Sequence, residues 1–434
     1  MCFGSTHLQS KVINDHRHTV SLGHNLMLQS GIIQPSSPGI FNLMPFMQRS
    51  VDKLSSIIDT ELQAVGCDKL HMSALSPKQL WQRTGRWDKF GKELITTKVA
   101  GKEFCLCPTH EEVICDIVGR YIRSLSRKHL PLKFYQITTK YRAETHPVHG
   151  LLRGREFLMK DLYTFDADTE SALVTYEQVR GAYDRLFRRL DVDVVAVRAE
   201  GGNIGGELTH EYHMLADVGE DRVAVCRETG VACNAADVAG QPEDRYEFRN
   251  AIELGHTFYL GTEYSKKMKV HFDNHTPCEM GCFGLGVTRI IAASVENMAV
   301  ANGLRWPKEI APYKVCLITP REGSPLFSRA TELADGLYEA LDCGRIKGDV
   351  LFDDRHHKTT GWRMRHANLL GYPLVVVFGN DVDKGLVEVV TQSKGESETH
   401  KMSLQEVVDW VREYFASKST SADLKSAAVR DVSI

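Results

Sequence analysis

The chain has 434 residues, 42% hydrophobic and 25% charged, with a formal net charge of −3. Such a length and balance describe a globular protein of two or three domains, and no apolar run approaches the roughly 18 residues a membrane helix needs. A net charge this small leaves any nucleic-acid contact to a local basic patch, and eleven scattered cysteines with no secretory signal argue for reduced thiols, not a disulfide scaffold.

Residues 1–24 carry Lys11, Arg17 and four histidines against one acid, Asp15. They are acid-poor, as transit peptides are, though not arginine-rich, and read as a flexible N-terminal segment. Gln34-Pro35-Ser36-Ser37-Pro38-Gly39 is a loop signal. A helix is expected from Pro45, with Val51, Leu54, Ile58, Leu62 and Val65 forming one apolar stripe. Residues 133–142 are rich in aromatic and β-branched side chains and predict a strand. Residues 145–150 read as a loop and 156–165 as a return strand, together a long antiparallel hairpin. An amphipathic helix follows, with Leu173, Tyr176, Val179, Tyr183, Leu186, Phe187 and Leu190 on one side. A strand at 194–197 runs into the glycine-rich turn 201–206. Residues 306–312 read as a linker. Beyond it, strands at 315–318, 350–352 and 374–378 alternate with helices at 326–341, 359–370 and 403–415, which predicts an α/β module with a parallel core. The tail 417–434, rich in Ser, Ala and Lys, is expected to be disordered.

The hairpin concentrates charge: Arg142, Glu144, Arg153, Arg155 and Glu156, followed by Phe157. A solvated sheet face with cross-strand ion pairs would account for it structurally. A purine and phosphate site accounts for it chemically. Arginine offers a planar, permanently charged fork, a glutamate can accept from a purine amino group, and a ring provides a stacking face. Upstream stands Pro108-Thr109-His110-Glu111-Glu112. Downstream, Glu279-Met280-Gly281-Cys282-Phe283-Gly284-Leu285-Gly286-Val287-Thr288-Arg289 leads into an apolar helix, where small residues allow close backbone approach and Arg289 can reach an anion.

The order Thr-x-Glu, Arg-x-Glu with a Leu-Arg-Gly-Arg-Glu-Phe return strand, then Gly-Leu-Gly-x-x-Arg opening a helix, resembles class II aminoacyl-tRNA synthetases. Pro108 to Glu112, Phe157-Leu158-Met159-Lys160-Asp161 and Glu253-Leu254-Gly255-His256-Thr257-Phe258-Tyr259-Leu260-Gly261 resemble the prolyl members in particular. The resemblance implies an α+β catalytic domain built on an antiparallel sheet at 25–305, followed by an α/β anticodon-binding domain at 313–416. It also implies activation of proline with ATP and Mg²⁺ and transfer to tRNA(Pro). Arg142 would hold the α-phosphate and the substrate carboxylate, Glu144 the adenine amino group, and Phe157 and Arg289 the two adenine faces. Arg153, Glu253 and His256 complete the implied ATP site. Thr109 and Glu111 would bind the proline amine, with Met159, Phe258 and Cys282 around the ring and Asp161 and His210 bracing the pocket. In the C-terminal module Asp354, Arg355, Trp362 and Arg363, with Asp353, Lys358 and Arg365 nearby, would meet the anticodon. A homodimer with residues 34–62 in its interface is expected, and no membrane contact. The short form without an inserted editing domain, with about 115 residues between Phe165 and Gly281, points to the mitochondrial matrix, with bacterial cytoplasm as the alternative.

The chain departs from the family at the hairpin tip. Arg142-Ala143-Glu144-Thr145-His146-Pro147-Val148 has lost two arginines that usually stand at His146 and Val148, so a weaker, pH-sensitive grip on triphosphate or tRNA is expected there. His271, His275, Cys278 and Cys282, Cys105 with Cys107, and Cys226 with Cys233 lack paired Cys-x-x-Cys spacing, so no zinc site is expected. His210-Glu211-Tyr212-His213 falls one residue short of a metalloprotease motif. Two alternatives stay open: a synthetase-like accessory protein with weakened catalysis, and a threonyl-type enzyme.

Overall fold

The charged hairpin belongs to a mixed sheet in a computed structural model of the protein, which describes residues 21–416 apart from 122–124, 207, 240, 242, 274 and 394–396. The 417–434 tail and most of the 1–24 segment lie outside the described residues. Among the described residues the sheet has nine strands: β1 (Asp68–Lys69), β2 (Leu132–Tyr141), β3 (Glu156–Asp166), β4 (Val194–Arg198), β5 (Leu208–Leu215), β6 (Asp221–Cys226), β7 (Ala232–Asn234), β8 (Tyr246–Gly261) and β9 (Glu279–Gly286). The order runs β7-β6-β8-β9-β3-β2-β1, with β5 pairing β8 and β4. Every pair is antiparallel except β1 with β2.

Alternation along β3 sorts its side chains between two faces. Lys160 and Leu162 point to the face covered by helix Thr169–Leu190, where Lys160 bonds Tyr183. Phe157, Met159, Asp161 and Tyr163 point to the other face. Gly255 on β8 and Gly281 on β9 sit in register with the helix-covered face and leave room for bulky neighbours. A Cβ on Gly255 would come within 2.5 Å of the Leu285 side chain, and one on Gly281 within 2.7 Å of the Phe283 ring.

Contacts divide the chain into two compact units that ignore sequence order. Pro35–Asn42 and Val51–Ala293 form one, holding the nine-stranded sheet. The other combines the chain up to Gln34 with Leu43–Ser50 and everything from Ser294. In this second unit the sheet order is β11-β10-β12-β13-β14, for β10 (Val315–Ile318), β11 (Val350–Phe352), β12 (Leu374–Val377), β13 (Leu386–Thr391) and β14 (Thr399–Ser403). The first three are parallel, while β13 and β14 add an antiparallel hairpin. Helices Phe327–Leu341, Thr360–Leu370 and Leu404–Tyr414 complete the α/β module.

Several sequence expectations change. Gln34 to Ser37 belong to strand Ile33–Ser37, which pairs with Ile40–Leu43, so only Pro38-Gly39 turn. Leu173 is exposed, because it lies off the buried stripe of its helix. Residues 306–312 are packed and do not behave as a loose linker: Trp306, Ile310 and Ala311 are buried, and Trp306 Nε1 donates to the Leu370 carbonyl at 2.9 Å. The first helix begins at Leu22, inside the 1–24 segment expected to be flexible. Its free N–H groups explain this: Glu296 accepts from Leu22 N at 3.1 Å, Gly23 N at 2.7 Å and Ser21 Oγ at 2.6 Å.

Candidate active site

On the open face of the sheet, a cavity of about 540 Å³ is lined by Arg142, Glu144, Arg153, Phe157, Glu253 and Arg289, together with Glu93 and tip residues His146, Val148 and His149. Six of the seven positions assigned to ATP thus share one space. Arg142 sits at the end of β2, its guanidinium 5.3 Å above the Phe157 ring. Arg289, opening helix Val287–Met298, is clamped: Nε donates to the Leu152 carbonyl at 2.7 Å and Nη1 to the Glu253 carbonyl at 2.8 Å. A guanidinium fixed by its edge keeps its face free for stacking. Burial and the neighbouring Arg289 lower the Arg142 pKa from its ordinary value, so the cavity carries two close cations that a phosphate would relieve.

Glu144 is already engaged. It accepts from Arg153 Nε at 2.8 Å and from the His146 N–H at 3.2 Å, while Arg153 Nη1 also reaches Glu220 at 2.5 Å. Burial pushes the Glu144 pKa up, but these donors outweigh it and hold it below the ordinary value. The tip is braced by Arg155, whose Nε donates to the Glu144 carbonyl at 2.8 Å and whose N–H meets the Gly39 carbonyl at 2.7 Å. His149 takes a left-handed conformation at φ 51°.

The seventh position, His256 on β8, stacks on Phe258 at 3.9 Å between ring centroids. It also faces two carboxylates, Glu253 at 3.3 Å and Glu211 at 3.6 Å. Ligand atoms of Glu211, Glu253 and His256 all lie within 4.8 Å of one another. Burial raises the Glu253 pKa, but His256 and Arg289 outweigh it and bring it down to about 2. Glu211 comes from β5, so His210-Glu211-Tyr212-His213 is a strand, not a helical motif. Its alternation sends His210 to the opposite face, where Nδ1 meets Tyr176 at 2.8 Å, so His210 braces the helix-covered side and not the pocket.

Of the residues assigned to proline, Met159, Phe258 and Cys282 lie on the sheet, while Thr109 and Glu111 stand at the start of helix Glu111–Tyr121. Thr109, Glu111, Phe258 and Cys282 are buried, and Met159 is half-buried. Phe258 and Cys282 are cross-strand partners. Thr109 Oγ1 is 2.8 and 2.7 Å from the Glu111 oxygens, and Cys282 Sγ donates to Glu111 Oε1 at 3.2 Å. Ile204 of the glycine-rich turn packs against the same core, its carbonyl accepting from Tyr264 at 2.6 Å.

Four neighbours of this pocket were not singled out in the sequence for the roles they hold. Arg86 pairs with Glu111 at 2.9 Å and with Glu112 at 3.1 Å. Lys140 pairs with Asp161 at 2.7 Å, and Asp161 accepts from Tyr163 at 2.9 Å. Glu211, beside Glu253 and His256, is the fourth. None has a local signature: Arg86 is one basic residue in a helical turn, and Lys140 and Tyr163 look like ordinary strand residues. Alternation along β3, which places Tyr163 on the face of Phe157 and Met159, was the one usable signal.

In the C-terminal module Arg355 is tied to Asp353 through Nη2 at 2.6 Å and Nε at 2.9 Å. Arg363 is fully buried and donates to the carbonyls of Asp353 and Thr319. Arg363 is therefore a brace behind the surface expected to meet RNA. Trp362 lies half-buried, stacked on His366 at 5.3 Å, with Arg355 5.0 Å and Lys358 5.4 Å from its ring. Asp354 is half-buried beside them.

Comparison with known proteins agrees with this geometry. Residues 95–298 match the family model of the tRNA synthetase class II core domain (G, H, P, S and T), and residues 314–414 match the anticodon binding domain. Fold and site together define a class II aminoacyl-tRNA synthetase. The chain is 46% identical over 388 residues to a probable mitochondrial proline–tRNA ligase of Rattus norvegicus, covering 86% of this chain and 81% of that protein. It is 38% identical over 403 residues to the Schizosaccharomyces pombe counterpart, covering 89% and 92%. The crystal structure of Cryptosporidium parvum prolyl-tRNA synthetase complexed with L-proline and AMP superposes with a TM-score of 0.73 at 18% identity, covering 90% of this chain and 77% of that one. The chain belongs to the proline–tRNA ligase family.

Proposed function

We propose that the chain activates proline with ATP and transfers the prolyl group to tRNA(Pro) in the mitochondrial matrix, acting as a homodimer. The observation that carries this reading is the shared cavity of Arg142, Glu144, Phe157, Glu253 and Arg289, set above the buried Thr109–Glu111 pair. The proline carboxylate attacks the α-phosphorus of ATP and pyrophosphate leaves. A terminal ribose hydroxyl of the tRNA then attacks the prolyl carbonyl and AMP leaves. Arg142 steadies the charge that builds at the α-phosphate, Phe157 and Arg289 hold the adenine, and Glu144 accepts from its amino group. Positioning and charge neutralisation supply the rate.

Mg²⁺ fits the chain's own donors. Glu211, Glu253 and His256 present two carboxylates and an imidazole within 4.8 Å of one another, an oxygen-rich set suited to a hard cation that keeps part of its water and substrate phosphate shell. When bound there, Mg²⁺ neutralises phosphate charge. Retention of Arg142, Glu144 and Arg289 speaks against a weakened accessory protein.

An ATP–pyrophosphate exchange assay of the purified protein across the twenty amino acids tests the reading. Exchange driven by proline is expected. Exchange driven by threonine, or by no amino acid, would replace it.

A further inference from the structure

Thr109 has one proton and two neighbours able to accept it. Its Oγ1 lies 2.8 and 2.7 Å from the Glu111 oxygens and 3.2 Å from the Tyr163 hydroxyl. Glu111 is nearer and takes the proton. The Tyr163 oxygen is otherwise committed: it donates to Asp161 Oδ2 at 2.9 Å and accepts the His110 N–H at 2.8 Å. A hydroxyl oxygen so engaged keeps one acceptor direction, and the Thr109 hydroxyl lies within reach of it at 3.2 Å while its proton is turned to Glu111. Asp161 is anchored in turn by Lys140 at 2.7 Å and Gln136 Nε2 at 3.0 Å. Asp161, Tyr163, Lys140, Gln136 and His110 are all buried, so this oxygen is held in place and water does not compete for it.

We propose that Tyr163 is a positioning residue for the amino-acid substrate, an inference that rests on the reading of the chain as a proline-activating enzyme. When a secondary ammonium enters, the Thr109 hydroxyl turns its proton from Glu111 to Tyr163. A Thr109 lone pair then faces one N–H of the ammonium, and the released Glu111 carboxylate accepts the other. No proton leaves its residue; one hydroxyl rotates. Two acceptors match the two N–H groups of a secondary ammonium. A primary ammonium brings a third, which is left buried without a partner, and that costs affinity. Tyr163 thereby adds a selection on amine substitution to the selection on ring shape.

Tyr163→Phe removes the acceptor and keeps the ring. In pyrophosphate exchange, KM for proline is expected to rise about five- to tenfold, the worth of one buried hydrogen bond, with kcat and KM for ATP little changed. In a Thr109→Ala background the same change is expected to have almost no further effect, whereas in Thr109→Ser, which keeps the hydroxyl, the full factor returns. A role in packing alone would multiply through both backgrounds. An unchanged KM in Tyr163→Phe, or the same factor in Thr109→Ala, overturns the inference. If Tyr163→Phe fails to fold by thermal melting, a structure of the unmodified protein with proline and a non-hydrolysable ATP analogue decides. Thr109 Oγ1 is expected about 2.8 Å from the Tyr163 oxygen and in hydrogen-bond reach of the substrate nitrogen. Thr109 still donating to Glu111 overturns it. Absence of proline-dependent exchange in the unmodified protein overturns the parent reading and is distinct from either result.

Discussion

Arg86 Nη1 donates to Glu111 Oε2 at 2.9 Å and to both oxygens of Glu112 at 3.1 Å, so one buried cation serves two buried carboxylates. Burial raises the pKa of both acids. At Glu111 the pull of Arg86 wins and the net shift is downward, while Glu112 stays above its ordinary value. Glu111 thus holds its charge more firmly than Glu112. Removing a partner from a buried pair costs about 3–5 kcal/mol. Arg86→Met is therefore expected to lower the melting temperature sharply and abolish proline activation. Glu112→Gln, which leaves a one-to-one pair, is expected to fold normally and retain activity. Equal damage from both substitutions in thermal melts and pyrophosphate exchange would contradict this division.

Lys160 is the second buried cation with a measurable consequence. It faces the helix-covered side, bonding the Tyr183 hydroxyl and the Phe283 carbonyl at 2.9 Å. Burial pushes its pKa down from 10.5 to about 7. Between pH 7 and pH 10.5 the unfolded chain then binds the proton and the folded chain does not, so stability contributed by this site rises with pH across that window. The slope is at most about 1.4 kcal/mol per pH unit. In urea melts at pH 7, 8 and 9, the protein is expected to gain stability relative to Lys160→Met as pH increases. A difference that stays constant would place the lysine pKa elsewhere.

Trp362 and Arg363 are neighbours in sequence with opposite expected behaviour. Trp362 offers a ring on a cationic ledge, and stacking of an RNA base on such a ring is worth about 1–3 kcal/mol. Trp362→Ala is expected to raise KM for tRNA roughly tenfold in aminoacylation, while pyrophosphate exchange, which needs no tRNA, is little affected. Arg363→Ala strands two buried carbonyls and is expected to destabilise the module, visible in melting before kinetics. If Trp362→Ala leaves KM for tRNA unchanged, the RNA is read on another surface.

Between β3 and β9 the described residues form helix Thr169–Leu190, strands β4 to β8 and helix Glu263–Met268, most of it in the catalytic sheet or packed on it. Rejection of alanine then falls to the pocket alone, and missing methylenes are worth only about 1–3 kcal/mol each. Measurable alanine-dependent pyrophosphate exchange is expected, with no hydrolysis of Ala-tRNA(Pro) by the pure protein. Rapid deacylation would reveal a hydrolytic site.

The grouping of the residues proposed to hold ATP was legible in the sequence because they cluster in short, ordered motifs. Arg142, Glu144, Arg153 and Phe157 lie on one hairpin, and Arg289 opens a helix after a glycine run. The proline half was readable only in part. Thr109 and Glu111 stand in one motif, but Arg86 reaches them from 25 positions away in sequence, and Tyr163 reaches Thr109 across 54. No local pattern encodes such pairings; tertiary packing creates them, bringing Arg86 on a short helix and Tyr163 on β3 to the start of helix Glu111–Tyr121. The antiparallel hairpin β13–β14 was not anticipated, although Val387 and Val389 alternate with half-buried neighbours.

The buried charges beneath the pocket also constrain how this protein can change. Arg86, Glu111 and Glu112 form one electrostatic unit, and Lys140 with Asp161 another. Removing Arg86 from the first, or either member of the second, leaves an uncompensated charge in the core. Redesign toward a different amino acid must therefore move through paired substitutions, whereas the more exposed tip at Thr145 to His149 can change one residue at a time.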